Sequence, residues 1–485
     1  MDQSRTSEVE QPASGANDGD DASGEAVQFD LFGLPLEPAP SLADAPAQAD
    51  AHGGKLWRAS SADASRSAAE APATTAQTGA APAPERRRQA RAKVHEPSAA
   101  ASLWQDEDEE ALDSAAAQSA PSAASIPAGA PKKRRAREIL AAPPSAELLA
   151  LAAELAPQIH LGTSTWSFPG WNGIVYGDEY SNSKLSREGL TAYSAHPLLR
   201  TVSIDRSFYQ ALPVTDYLRY AQQVPEHFRF IVKAPMTVTD ATVRAGHGEP
   251  VSLNPCFLNA QMAIDEFVTP CVEGLGAKAG ALVFQLSPLP DQMLAQPAEF
   301  IERLAEFLMA LPKLPHGTCY AIEIRDASLL TPRFIRTLKT AGVRYCVGIH
   351  ARMPDPLRQA AALALLDGEP AGPLIVRWSL HGGFKYEQAK AKYEPFKQLV
   401  DQDPATRASL AELAARYALA GQPVVIAINN KAEGSAPLSC VELARAITEA
   451  YARQAHNREH EDDEPPSDER EQQTGDGEPG DAPAA

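Results

Sequence analysis

Short apolar runs recur through the middle of this chain, each a few residues long and most separated by helix-like stretches. Eight lie between Ile159 and Ile428: Ile159–Thr163, Thr201–Asp205, Arg229–Lys233, Ala281–Gln285, Cys319–Arg325, Tyr345–Ile349, Leu374–Trp378 and Val424–Ile428. Several give way to a polar residue: Phe230-Ile231-Val232 to Lys233, Leu282-Val283-Phe284 to Gln285, Leu374-Ile375-Val376 to Arg377, and the last run to Asn429-Asn430. Eight β runs alternating with helices predict an α/β fold, a single closed (β/α)8 TIM-type barrel.

The intervening periodicity predicts helices. Ser145 caps the first, which Pro157 stops, and another runs through Leu190 and Tyr193. Further helices are predicted over Pro213–Val224, Pro297–Leu311, Pro332–Ala341, Ala405–Ala420 and Leu438 to about Gln454. The connection from Ala234 to Asn259 is long for a compact domain, and such loops are usually lids or binding loops.

Side chains alternate across a strand. The pairs Val202/Ile204, Phe230/Val232, Leu282/Phe284, Ile322/Ile324, Val376/Trp378 and Ile426/Ile428 are apolar and should face the helices. The other parity then turns Ser203, Asp205, Lys233, Gln285, Glu323, Arg325, Arg377 and Asn429 inward. Barrel interiors are dominated by branched apolar residues, and barrel enzymes work at the carboxyl ends of their strands. The sequence therefore points to a site, though not to a reaction.

Composition divides the 485 residues unevenly. Residues 1–143 are rich in Ala, Pro, Ser, Gly and charge, and read as a disordered arm with basic clusters. Residues 144–455 carry the barrel, and 456–485 read as an acidic, disordered and solubilising tail that supplies part of the net charge of −19. The five cysteines are odd in number and show no CxxC spacing, which fits a reducing compartment. No apolar run is long enough to span a bilayer, and the start lacks the basic and apolar regions of a signal peptide, so a cytoplasmic protein without membrane contact is expected.

The chain resembles the YecE-like family, the domain of unknown function numbered 72. The resemblance rests on Gly162-Thr-Ser-Thr-Trp166 with Trp171 and Tyr176, on Ser207-Phe208-Tyr209, and on Phe230-Ile-Val-Lys233-Ala-Pro235. It continues through Glu323-Ile-Arg325, Arg377 with His381-Gly382, and Asn429-Asn430 with Gly434 and Ala436-Pro437. It implies a (β/α)8 barrel and no established reaction. This chain departs from the family pattern by having Ser203 for an acid, Asp205 for an amide, Asp240 where a His is usual nearby, and Leu329 for a Trp. Those changes remove one inward carboxylate and one imidazole and put a shared mechanism in doubt.

Lys233, Glu323, Arg325 and Arg377 are the catalytic candidates. Arginine forks suit carboxylate or phosphate, lysine adds a point charge, and a buried Glu can exchange protons if its pKa rises. The alternative is a closed ion-pair network with Asp205 and Glu323. Candidate ligand contacts are Trp166, Asp205, Tyr209, Gln285, His381, Asn429 and Asn430, with Gly382-Gly383 as a weak phosphate-loop signal. No metal-ligand spacing and no nucleotide motif occurs, so neither a metal nor another cofactor is expected. The expected ligand is a small anion, phosphorylated or derived from nucleic acid; the rival reading is a non-catalytic binding or adaptor protein with a structural or vestigial barrel site.

The arm adds two partner expectations. Its basic clusters, Arg86-Arg87-Arg88 with Arg91 and Lys93, and Lys132-Lys133-Arg134-Arg135 with Arg137, suit non-specific nucleic-acid phosphates. Gln28-Phe29-Asp30-Leu31-Phe32 is an apolar patch in a polar segment. It resembles the peptides that dock bacterial replication and repair proteins on the sliding clamp, with Gln28, Asp30, Leu31 and Phe32 as the partner-binding residues.

Overall fold

The computed structural model describes residues 138–244, 250–368, 370–380 and 386–463. The arm's basic clusters and the Gln28–Phe32 patch lie outside these, as does His381 with Gly382-Gly383.

Among the described residues ten strands form. Eight are those the apolar runs predict: β1 (Ile159–Thr163), β2 (Leu199–Ile204), β3 (Arg229–Lys233), β6 (Ala279–Gln285), β7 (Cys319–Glu323), β8 (Arg344–Ile349), β9 (Leu374–Trp378) and β10 (Val424–Ile428). They close in the order β1-β10-β9-β8-β7-β6-β3-β2, every neighbouring pair parallel. Closure leaves no free edge among these eight. Strands β4 (Thr242–Arg244) and β5 (Pro250–Leu253) form an antiparallel pair inside the long connection after β3.

Parity sorts the core into two layers. Val202, Ile204, Phe230, Val232, Leu282, Phe284, Ile322, Val376, Trp378, Ile426 and Ile428 join the main cluster beneath the helices. Ile231, Ala281, Val283, Ala321, Cys346, Ile375, Val425 and Ala427 form a separate cluster, which fills the lumen. Glycine is required at Gly162 in β1, where a Cβ would lie 1.8 Å from the Thr201 carbonyl oxygen of β2.

Several boundaries differ from those the sequence predicts. Residues 138–142, assigned to the arm by composition, belong with the barrel. Ile139 is buried, Ala141 bridges Tyr176, Leu140 donates its amide to the Tyr180 hydroxyl at 3.0 Å, and Ala142 donates to Val175 at 2.9 Å. Four of the five, Ile139 to Ala142, are apolar, and the backbone finds partners in the loop after β1. At the other end the last helix, Ala436–Asp463, runs past the His456 boundary into the acidic segment. Two helices that the periodicity does not predict, Pro356–Asp367 and Tyr386–Tyr393, lie in the connections after β8 and β9. The helix expected through Leu190 is two, Asn182–Glu188 and Leu190–Ser194, meeting at Gly189.

Candidate functional site

Four inward faces pass from an apolar residue to a polar one at the strand end. Val283 leads to Gln285, Ala321 to Glu323 and Arg325, Ile375 to Arg377, and Ile231 to Lys233. The strands run parallel, so these polar ends gather at one end of the lumen.

There they form an ion-paired knot. Arg377 Nη1 donates to Glu323 Oε2 at 2.7 Å and to Gln285 Oε1 at 2.7 Å. Arg377 Nη2 donates to Asp205 Oδ2 at 3.0 Å. Arg325 Nη2 reaches the same Gln285 oxygen at 2.9 Å and lies 3.0 Å from Glu323 Oε1. The side chains of Glu323, Arg325 and Arg377 are 0%, 3% and 6% exposed, whereas Asp205 is 20% exposed. Ser203, on the same face of β2, donates to Asp205 Oδ1 at 2.5 Å.

Burial disfavours the charge on Arg377, but Glu323 and Asp205 more than offset it and hold the guanidinium protonated well above its usual range. Gly348 of β8 makes room for this arrangement. A Cβ there would stand 3.2 Å from Glu323 Oε1.

Lys233 is buried with its ammonium 3.6 Å from the centre of the Phe208 ring, a cation–π contact. A cavity of about 20 Å³ opens beside it, lined by Ser164, Asp205, Lys233, Arg377, Trp378, Ser379, Ala427 and Asn429. That volume accommodates about one water molecule. Asn429 donates from Nδ2 to Ser164 Oγ at 2.9 Å across the β10–β1 seam.

The other sequence candidates lie elsewhere. Trp166 is buried, edge-on to Tyr220, and Tyr209 packs edge-on against Phe208 with ring centres 5.2 Å apart. Neither lines the cavity. Asn430 holds the fold together instead. Its Oδ1 accepts from Trp171 Nε1 at 3.2 Å and from the Ala436 amide at 3.0 Å, fixing the start of the last helix.

Ser164 and Ser379 line the cavity, although neither is among the sequence candidates. Extending strand parity beyond β1 and β9 finds both, since 160, 162 and 164 share a face, as do 375, 377 and 379. A second buried charge cluster follows β10. Glu433, fully buried, accepts from the Asp403 amide at 2.7 Å and lies 3.1 Å from Arg407 Nε, while its carbonyl accepts from the Val400 amide at 2.7 Å. Among the described residues, no three His, Cys, Asp or Glu side chains gather as a metal site would require, and no helix is long and apolar enough to cross a membrane.

The fold and this lumen define a closed (β/α)8 barrel with a cation-rich mouth. The chain belongs to the family described as "Protein of unknown function DUF72", whose model matches residues 160–465. Solved structures similar to it include two DUF72 family proteins. A DUF72 family protein from Enterococcus faecalis is 17% identical, over 61% of this chain and 95% of its own, with a TM-score of 0.39. Another from Thermotoga maritima is 18% identical, over 60% of this chain and 98% of its own, with a TM-score of 0.42. No curated protein matches the chain.

Proposed function

We propose that the barrel mouth binds a small anion, with Arg377 and Lys233 as its direct partners. One observation carries this reading. Among the described residues, three cations, Lys233, Arg325 and Arg377, gather at the mouth with two carboxylates, Asp205 and Glu323, beside a polar cavity. Cations gathered in a desolvated setting beside a polar cavity favour an arriving anion. Ser164, Ser379 and Asn429 supply uncharged hydrogen-bonding groups around the same cavity.

Within this reading Glu323, Gln285 and Arg325 frame Arg377 and do not do chemistry on the ligand. Both Glu323 oxygens face guanidinium groups and the residue has no exposure, so it lacks a path by which to trade a proton with a ligand. The mouth is therefore a binding site first, for an anion of the phosphate, sulfate or carboxylate class.

The test is calorimetric titration of a panel of phosphorylated and carboxylate metabolites into the full chain. A binder should lose affinity roughly ten- to a hundredfold in Arg377→Ala, the loss of a ~1.5–3 kcal/mol charged hydrogen bond. Lys233→Met should weaken it in the same direction. Equal binding by both variants and the wild type would place the ligand elsewhere.

The arm extends the proposal to location. Gln28–Phe32 is read as docking on a bacterial sliding clamp, with the basic clusters contacting nucleic acid. Leu31 and Phe32 stand in a segment too polar to build a core around them, which favours a partner surface. A peptide covering residues 24–36 should bind purified clamp saturably in fluorescence anisotropy, and a Leu31→Ala/Phe32→Ala peptide should not.

A further inference from the structure

The two amino groups of Arg377 are held very differently. Nη1 is fixed from below by Glu323 and Gln285, both buried to within 4% of full occlusion. Nη2 bonds Asp205, at 3.0 Å, and both residues line the cavity. Asp205 is also the most exposed member of the knot and lies past the end of β2, at the start of the short Arg206–Tyr209 helix. It is thus a carboxylate on a strand-end residue, placed where an incoming oxyanion would meet the guanidinium.

Size gives a second, independent observation. The cavity of about 20 Å³ holds roughly a water molecule, too little for a tetrahedral oxyanion or a ligand carboxylate. Asp205 is one of its walls. The other charged walls, Lys233 and Arg377, are 3% and 5% exposed and packed into the lumen, so Asp205 is the wall best able to move.

We infer that Asp205 is an internal competitor for the anion: its carboxylate occupies Arg377 Nη2, and it swings off that group when a ligand oxyanion takes its place. The inference rests on the anion-binding reading above and adds to it which group the ligand displaces. Ser203 belongs to the same device. Its hydroxyl bonds Asp205 Oδ1 and steadies the carboxylate against Arg377. Displacement exchanges one charged hydrogen bond for another, so the mouth discriminates. An anion must engage Lys233 as well as Arg377 to outcompete a tethered carboxylate, whose effective concentration is high. A small monodentate acid is therefore a poor ligand, and an oxyanion spanning both cations a good one.

The expected sign is opposite to that of an ordinary ligand contact. Inorganic phosphate and, separately, acetate are titrated calorimetrically into full-length wild type, Asp205→Asn, Asp205→Ala, Ser203→Ala and Arg377→Ala. Circular dichroism melting confirms that each is folded. Removing the competitor should tighten phosphate binding by roughly tenfold or more, the factor that one charged hydrogen bond represents. Asp205→Asn should improve it because an amide competes less well for a guanidinium, and Ser203→Ala should shift it the same way by less. Arg377→Ala should abolish the gain. If wild type binds phosphate and the Asp205 variants bind it equally or more weakly, Asp205 is a ligand contact or a bystander, and the inference falls while the anion site stands. If neither wild type nor any Asp205 variant binds either anion, the site reading and the inference fall together. Binding by the Asp205 variants alone supports both.

Discussion

Glu323 stands between two guanidinium groups with no contact to solvent. Replacing it by Ala leaves two buried cations facing each other and removes the carboxylate that both of them share. Breaking a buried pair on one side typically costs ~3–5 kcal/mol, because the surviving charge is stranded. The urea midpoint of Glu323→Ala should fall accordingly, and Glu323→Gln, which keeps the shape, should fall less. Gly348→Ala tests the same spot from the other strand. Its new Cβ would stand 3.2 Å from the Glu323 carboxylate, so that side chain must shift by a few tenths of an ångström. A destabilisation of ~1–3 kcal/mol is expected in chemical denaturation, with weaker anion binding as Arg377 shifts. The inward charges were readable because period-two alternation is a local property of each strand. How they pair was not readable, since the approach of Arg377 to Asp205 and Glu323 depends on the lumen's width. Lys233 shows the limit well. Its position at a strand end is plain in the sequence, yet its contact with the Phe208 ring depends on how the helix after β2 folds back.

At the scale of elements, the strands are more legible than the connections. A buried parallel strand writes itself as an apolar run, whereas the helix Pro356–Asp367 is mostly Ala and Leu and shows little periodic contrast. What marks it is its cap. Asp355 Oδ1 accepts from the amides of Leu357 at 3.0 Å and Arg358 at 3.1 Å, and Pro356 occupies the first turn. Asp355→Ala should cost about 1 kcal/mol, measurable as a shift in thermal midpoint without a change in anion binding. The long connection after β3 was legible as unusual but not as a pair of strands, because β4 and β5 are only three and four residues long. Its anchor is Asp240, which binds Arg244 Nε at 2.7 Å and the Thr242 amide at 2.9 Å.

For the molecule as a whole, two imidazoles set an acid limit. Burial lowers His160 and His196 to about 4, with Arg229 and Arg200 lowering His160 further against a backbone hydrogen bond that raises it. Both folded values lie below the unfolded one of 6.5. The unfolded chain therefore binds more protons between these values, and the contribution of these two groups to stability should fall as pH drops from 6.5 toward 4 and stay level above 6.5. Thermal midpoints measured across that window should show the slope, and His196→Asn should reduce it. The segment that follows β10 carries a different consequence. Glu433 joins the segment after β9 to the segment after β10 through its side chain, its carbonyl and Arg407. Neither segment can leave its place without stranding a buried carboxylate or a buried guanidinium. In native-state hydrogen exchange the amides of Val400, Asp401, Asp403, Ala432 and Gly434 should then exchange with one shared opening free energy, as a single cooperative unit. Glu433→Gln should split that unit, letting the first three exchange sooner than the last two.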